Sequence, residues 1–490
     1  MKRTLLVLWA AGGFLGILEA LAAQNPIHDF FINADRSLYI CAFISYSLAF
    51  LILALLLYPI LRKLNSLFAK IFPVFMFLAT ALIFFSILYA WIPAYRFLAT
   101  KKNKANEMNF VLITLDTTRA DHLGCYGYPK NTTPFLDSLA QKGILFENAY
   151  ANATWTLPSH TSLFTGMMPS VHGVGYSNFF VSPSVKTIAE SLQQKGYTSA
   201  AFIGGPFLVS AFNINQGFDF YDEHLDPHSE LKRLTLFRLI SKLTGKQLWH
   251  TDGQRRGAEI NHEVSSYLKW VVNRQPFFLF INYFDAHEPY DPPQEIRDEM
   301  KIHTTMKGNI RFYPLNKQNG VACHADGSPL SESEFQQLRD LYDGELRYQD
   351  QQLQALWKML EEQGVANKTI LIIASDHGET IGEHQFLDHG HNLYQEQVHV
   401  PLLFYNSGLF SGGRKITEKV QLIDVYPTLL EFVGLKADSG IQGHSLLPGL
   451  RSNQFAPRPV LSEIDIDSHP RFAAFKRSQK MILEDSLKYI

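Results

Sequence analysis

The run Asn152-Ala153-Thr154-Trp155-Thr156-Leu157-Pro158-Ser159-His160 sets a hydroxyl just ahead of a helix start. Pro158 and Ser159 fit a turn leading into that helix, whose amino end can receive an anionic ester. Upstream, Val111 to Asp116 reads as a buried strand ending in an acid. Far downstream, Thr369 to Ala374 is a second such strand, running into Ser375-Asp376-His377-Gly378-Glu379. An acid, a hydroxyl and an Asp-His pair are the parts of a metal-activated nucleophile. An unaided threonine hydroxyl attacks poorly at neutral pH, so Thr156 as nucleophile calls for a cation nearby. Imidazole in the pair favours zinc or manganese, with calcium or magnesium as the alternatives.

Outward from these three stretches, strands and helices alternate. Strands are expected at 109–116, 199–203, 277–283, 369–374 and 400–405, and helices at 133–142, 185–195, 259–273 and 331–363. The last opens with a capping-box pattern, Ser331 with Glu334. Apolar strands alternating with helices predict an α/β fold, a parallel or mixed sheet covered on both faces. Ligands bind beyond the carboxyl ends of such strands, which is where Asp116, His287 and the Asp376-His377 pair fall. Residues 206–256 and 296–330 lack clear periodicity and read as loops around a substrate mouth.

The chain has 490 residues and a formal charge of -2, without the basic surplus of a nucleic-acid binder. Its three cysteines, Cys41, Cys125 and Cys323, make neither a disulfide framework nor a paired zinc-ligand spacing. Residues 37–61 and 71–95 carry no formal charge, and each is long enough to cross a bilayer, which takes about 20 residues. A shorter apolar run within 4–22 is a first span or a signal peptide. In either case the region after Tyr95 is expected outside the cytoplasm. The charges alone leave this open: Arg62, Lys63 and Lys70 are opposed by Arg96, Lys101, Lys102 and Lys104. The expected organisation is a multi-pass membrane region over 1–96, a polar linker over 97–108 and a catalytic domain over 109–490.

From Asn109 to Leu447 the chain resembles the sulfatase family of the alkaline-phosphatase superfamily. The resemblance lies in an ordered set: Val-Leu-Ile-Thr-Leu-Asp-Thr-Thr-Arg-Ala-Asp-His at 111–122, Thr-Pro-Phe-Leu-Asp at 133–137, Thr-Leu-Pro-Ser-His at 156–160, Phe-Asp-Ala-His-Glu-Pro-Tyr at 284–290, Ser-Asp-His-Gly-Glu at 375–379, Gly-Glu-His at 382–384, Leu-Tyr-Gln-Glu at 393–396 and Asp-Val-Tyr-Pro-Thr-Leu-Leu at 424–430. It implies that Asp116, Asp376 and His377, with Thr156, hold one divalent metal ion. It also implies that His287 and His389, or His391, lie around the ester oxygens and leaving group.

The chain departs from the family pattern at three points. Thr117 stands where a second acid often follows. His160 replaces the motif arginine, and His389 or His391 the usual lysine. Threonine occupies the nucleophile position, where sulfatases carry a cysteine or serine that becomes formylglycine; threonine would give a ketone. Lipoteichoic acid synthases and phosphoethanolamine transferases use threonine directly and place the catalytic domain outside the cell after several spans. The resemblance therefore points to a phosphate or sulfate ester as substrate, with lipid or cell-envelope glycan as its carrier. A divergent sulfuric ester hydrolase and an inactive anion- or glycan-binding module are the alternatives. A small carboxy-terminal strand layer is expected after Pro459, with 471–490 long enough only for its beginning. A topology reporter fused after Lys104 should read out on the extracytoplasmic side; a cytoplasmic signal would overturn the arrangement.

Overall fold

A computed structural model describes residues 107–223, 225, 253–272, 276–304, 324, 328–410, 412–452, 455, 457–465, 479–484 and 487–490. The expected spans and nearly all of the linker lie outside these residues. Among the described residues no helix is long and apolar enough to cross a membrane.

The main sheet is built on β1 (Asn109–Leu115), β2 (Ile144–Tyr150), β3 (Thr198–Phe202), β4 (Phe220–Asp222), β5 (Phe277–Tyr283) and β6 (Thr369–Ala374). Later in the chain come a small hairpin, β7 (Thr380–Ile381) with β8 (Leu387–Asp388), then β9 (His399–Tyr405), β10 (Arg414–Ile416) and β11 (Val420–Gln421). The main sheet runs β10-β2-β9-β6-β1-β5-β3-β4, with β11 also on β2. Only β9 runs against its neighbours; the other pairings are parallel. The mixed α/β sheet is thus as expected, while β2, β4, β10 and β11 were not legible. Three of these are only two or three residues long, and β2 carries Glu147 and Asn148 in its second half.

Successive strand residues point to opposite faces, and the central strands are buried throughout. Phe110, Leu112, Phe278, Phe280, Ile370 and Ile372 share one core with Leu157, Leu163, Ile188 and Leu429. Those four come from α2 (Thr156–Thr165), α3 (Ile188–Gln194) and α6 (Val425–Phe432). A second packed group comprises α1 (Pro134–Ala140), α4 (Gly257–Val271) and α5 (Glu332–Glu362). The capping box of α5 forms as its sequence predicts: the Ser331 side chain accepts from the Glu334 N–H and the Glu334 carboxylate from the Ser331 N–H.

Register positions the site. Thr114 of β1 is level with Asn282 of β5 and with Ala374 of β6. Asp116 and Asp376 therefore leave the sheet side by side. Beside the segment that follows β2, β12 (Val460–Ile464), β13 (Gln479–Glu484) and β14 (Leu487–Tyr489) form an antiparallel sheet. These three strands fall where a carboxy-terminal strand layer was expected.

Helix α5 also caps α1. The Asp350 carboxylate accepts the backbone N–H of Phe135 at 2.9 Å and of Leu136 at 2.8 Å. Asp350→Ala should leave these two donors unmatched and lower the unfolding free energy by about 2 kcal/mol. The measurement is a denaturant midpoint, with Asp350→Asn intermediate; an unshifted midpoint for the alanine variant would refute the cap.

Candidate active site and metal centre

Three turns meet at the carboxyl ends of β1, β5 and β6. Asp116 follows β1, and its Oδ2 accepts from the Asn282 amide at 3.2 Å. Its Oδ1 is buried without a hydrogen-bond partner. Thr117 adopts a left-handed conformation, φ 54°, costly for a β-branched residue. That turn aims the Thr117 N–H at Asp376 Oδ1 (3.4 Å). Thr118 N–H donates to Ser375 Oγ (3.0 Å), which donates to the His377 carbonyl (2.7 Å). Asp376 Oδ1 also accepts the His377 N–H (2.9 Å).

The remaining donor atoms converge. Asp376 Oδ2 lies 3.3 Å from His377 Nε2, and neither makes a hydrogen bond. His377 Nδ1 is 2.9 Å from the Gly378 carbonyl, which fixes Nδ1 as the protonated nitrogen and leaves the Nε2 lone pair free to bind a cation. One ligand atom from each of Asp116, Asp376 and His377 lies within 4.8 Å of the others. Burial pushes Asp116 up to about 7, against the pull of the Asn282 amide. Burial and the neighbouring Asp116 carboxylate push Asp376 well above the usual range. Burial holds His377 well below the ordinary imidazole value. Two buried carboxylates and a neutral imidazole with unmatched atoms facing one another make a cation site.

Thr156 is the first residue of α2, after an extended Trp155 (φ -153°, ψ 160°). The helix is buried along its whole length and ends at a left-handed Gly166. One turn beyond Thr156, Ser159 Oγ donates to the Asp376 carbonyl at 2.6 Å. The His160 ring is braced on both sides: Nδ1 donates to the Thr156 carbonyl (2.8 Å), and Nε2 accepts from Thr114 Oγ1 (2.9 Å). Asn282 donates in turn to Thr114 Oγ1 (3.1 Å). Burial pushes His160 down to about 4. Its 3.4 Å approach to Asp376 Oδ2 is therefore the contact of a neutral ring and not an ion pair. His160 acts as a strut between β1 and the first turn of α2.

His389 stands over His377, ring centroids 4.4 Å apart, and meets His287 edge-on at 5.0 Å. The His287 ring stacks on Phe284 at 4.2 Å. His389 Nδ1 is 3.3 Å from both Glu379 carboxylate oxygens. Burial opposes its charge, yet the Glu379 and Asp388 carboxylates push it up to about 10. The structure thus gathers Asp116, Asp376, His377, His287, His389 and the first turn of α2. Of the two histidines that could replace the family lysine, His389 is the one against His377. His391 packs edge-on to Phe386 at 5.7 Å. His384 meets Tyr394 at a tilt, ring centroids 4.6 Å apart, and His399 bonds the Glu147 carbonyl.

Sequence reading passed over Asn282, Thr114 and Arg119. The first two are polar interruptions near the carboxyl ends of apolar strands, a signal legible in principle. Arg119, 4 % exposed, pairs with Asp121 and Glu383 and donates to the Glu379 carbonyl. It ties the turn after β1 to the loop after β6.

A mixed α/β sheet carries, at the ends of its central strands, an acid–imidazole cluster that could hold a metal ion. The family described as Sulfatase matches residues 108–435, and the chain belongs to it. Members of this family are ester hydrolases that bind a divalent metal ion, and Asp116, Asp376 and His377 form a group able to hold one. An arylsulfatase of Clostridium perfringens is 26% identical over 373 residues, covering 69% of this chain and 77% of that protein. Two solved structures share the fold. One is a phosphonate monoester hydrolase of Agrobacterium radiobacter, at TM-score 0.59 and 20% identity, covering 78% of this chain and 87% of that one. The other is a protein in complex with its substrate D-glucosamine-2-N, 6-O-disulfate, at TM-score 0.59 and 19% identity, covering 77% and 87%.

Asp376→Ala should remove one anionic ligand, and elemental analysis of purified protein should show bound divalent metal falling with it. Full metal occupancy in that variant would disprove the assigned site.

Proposed function

We propose that this chain is a membrane-anchored, metal-dependent enzyme that hydrolyses or transfers a phosphate or sulfate ester through Thr156, with phosphorus favoured. The observation that carries the reading is the convergence of three unmatched ligand atoms, on Asp116, Asp376 and His377, beside the helix turn that begins at Thr156. Asp116, Asp376, His377 and Thr156 would hold the cation, with zinc or manganese best suited to this donor set. When bound, such a cation lowers the pKa of a hydroxyl and neutralises charge on ester oxygens.

The chain's own residues do the rest. Thr156 Oγ1 gives up its proton to solvent and attacks phosphorus in line; the Oγ1–P bond forms as the bond to the leaving oxygen breaks. His287 and His389 hold the ester oxygens and supply the proton that the leaving oxygen takes up. His160, neutral and braced, keeps the first turn of α2 against Asp376. Water, or an acceptor hydroxyl in a transferase, then attacks the phosphothreonine and restores the Thr156 hydroxyl. The apolar runs at 4–22, 37–61 and 71–95 support a tether with the catalytic domain outside the cytoplasm, as does the likeness to threonine-using transferases. The second reading, sulfuric ester hydrolysis at the same centre, is favoured by the arylsulfatase relative. An inactive module sits poorly with ligand atoms that are buried and left unmatched.

Thr156 separates the two chemistries. Thr156→Ala should lose roughly a thousandfold or more in turnover of a phosphate ester. Thr156→Ser should keep partial activity, since the attacking oxygen survives with a freer rotamer. Intact-mass analysis after brief acid quenching should show a phosphoryl adduct on the native protein and none on the alanine variant. An unimpaired alanine variant without adduct would eliminate Thr156, and preferential turnover of sulfate esters in a parallel assay would move the assignment to the second reading.

A further inference from the structure

A run of aromatic rings leads from Thr156 toward the surface and has no part in the chemistry described above. Its inner end is Trp155, 4 % exposed and directly before Thr156. Trp155 stacks on Tyr176 with ring centroids 4.4 Å apart and planes parallel within 1°. It also meets Phe179 at 5.3 Å and Phe207 edge-on at 5.7 Å. Phe207 stacks on Phe212 at 6.2 Å and lies 6.3 Å from Phe179. Exposure grows along the run: Tyr176, Phe179 and Phe212 are half-buried and Phe207 is 38 % exposed.

The run is fastened to the site at two points. On one side the Tyr176 hydroxyl donates to the Gly390 carbonyl at 3.0 Å, next to His389. A Cβ on Gly390 would come within 3.3 Å of the Trp155 Cβ. On the other side the turn before Phe207 lies on Phe284, so closely that a Cβ on Gly205 would fall 2.3 Å from its ring. Phe284 is the ring that stacks on His287. The aromatic run is therefore anchored beside both histidines assigned to the leaving group, through the residue after His389 and the ring stacked on His287.

Charge decides what it can receive. Residues 174–185 and 203–218, which carry every ring of the run except Trp155, contain no Lys, Arg, His, Asp or Glu. A polysulfated glycan needs cations beyond the reacting ester, and these segments offer none. The charged side chains bonded to these segments, Asp465 at Ser177 and Glu223 at Ser210, are acidic, and the rings themselves gain by covering apolar surface.

We propose that Trp155, Tyr176, Phe179, Phe207 and Phe212 form the leaving-group subsite, and that it takes an uncharged alkyl or acyl chain carried by the ester. The assignment rests on Thr156 marking the reacting centre. It narrows the substrate from any phosphate or sulfate ester to one whose alcohol bears an apolar chain.

The test is binding to the full-length protein, measured by calorimetric titration with octylphosphonate and methylphosphonate, whose carbon–phosphorus bond is not an ester. The native protein should bind the octyl compound at least about tenfold more tightly than the methyl one. Phe207→Ala should bring that ratio most of the way to one, and Phe207→Leu should retain most of it. Leu409→Ser, a comparably exposed apolar position elsewhere (54 %), should keep the native ratio. Equal binding of the two phosphonates by native protein would overturn the proposal. So would an unchanged ratio in Phe207→Ala, or displacement of octylphosphonate by a sulfated hexosamine at lower concentration than by methylphosphonate. Thr156→Ala keeps the two readings apart. An active alanine variant with an intact ratio overturns the nucleophile and sustains the subsite, whereas a dead variant from a protein with no chain-length preference does the reverse.

Discussion

Two carboxylates and an imidazole are buried at the ends of adjacent strands, each with one ligand atom that has no hydrogen-bond partner and all within reach of one another. Leaving such groups unmatched is among the more costly things a fold can do. Much of the surrounding structure exists to hold them there. Parallel pairing of β1 with β5 and β6 sets Thr114 level with Asn282 and Ala374, so that Asp116 and Asp376 leave the sheet side by side. The left-handed Thr117 and the Ser375 hydroxyl lock the two turns together through backbone N–H groups. The hydrogen bonds to Asp376 Oδ1 and His377 Nδ1 use the far side of each group, so the near side stays open to a cation.

The same economy explains the departures from the family pattern. Where the motif expects an arginine, His160 is neutral, enclosed and bonded at both nitrogens. It cannot supply positive charge to an anion; it ties the helix that begins at Thr156 to the centre of the sheet. Where a lysine is expected, His389 is held between Glu379 and Asp388, against burial. Positive charge beside His377 is thus carried by a ring whose orientation is set by its neighbours instead of by a long flexible side chain. A centre altered at these two positions and at Thr117 still keeps ligand atoms of Asp116, Asp376 and His377 within reach of one another.

The aromatic run beside this centre is a different kind of feature. Nothing in the metal cluster requires it, and its outermost ring is open to solvent. Its attachment at Gly390 and at Phe284 makes it continuous with the histidines at the leaving-group side. The run thus touches the histidine-bearing segments at Gly390 and Phe284, and Trp155 directly precedes Thr156.

The sequence by itself determined the class of fold. Apolar strands alternating with amphipathic helices admit little but a covered sheet, and the capping box of Ser331 and Glu334 fixed the start of the longest helix. It also placed Asp116, Asp376 and His377 at strand ends, because an acid closing an apolar run is visible in one dimension. Only the tertiary structure decided which histidine meets His377, since His389 and His391 are equivalent by spacing and differ only in where a tight turn aims them. Nor could the sequence reveal that Asn282 and Thr114 brace the centre, or that His160 is a strut. Those roles depend on the register of strands more than 150 residues apart in the chain, and register is set by packing across both sheet faces and not by any local pattern.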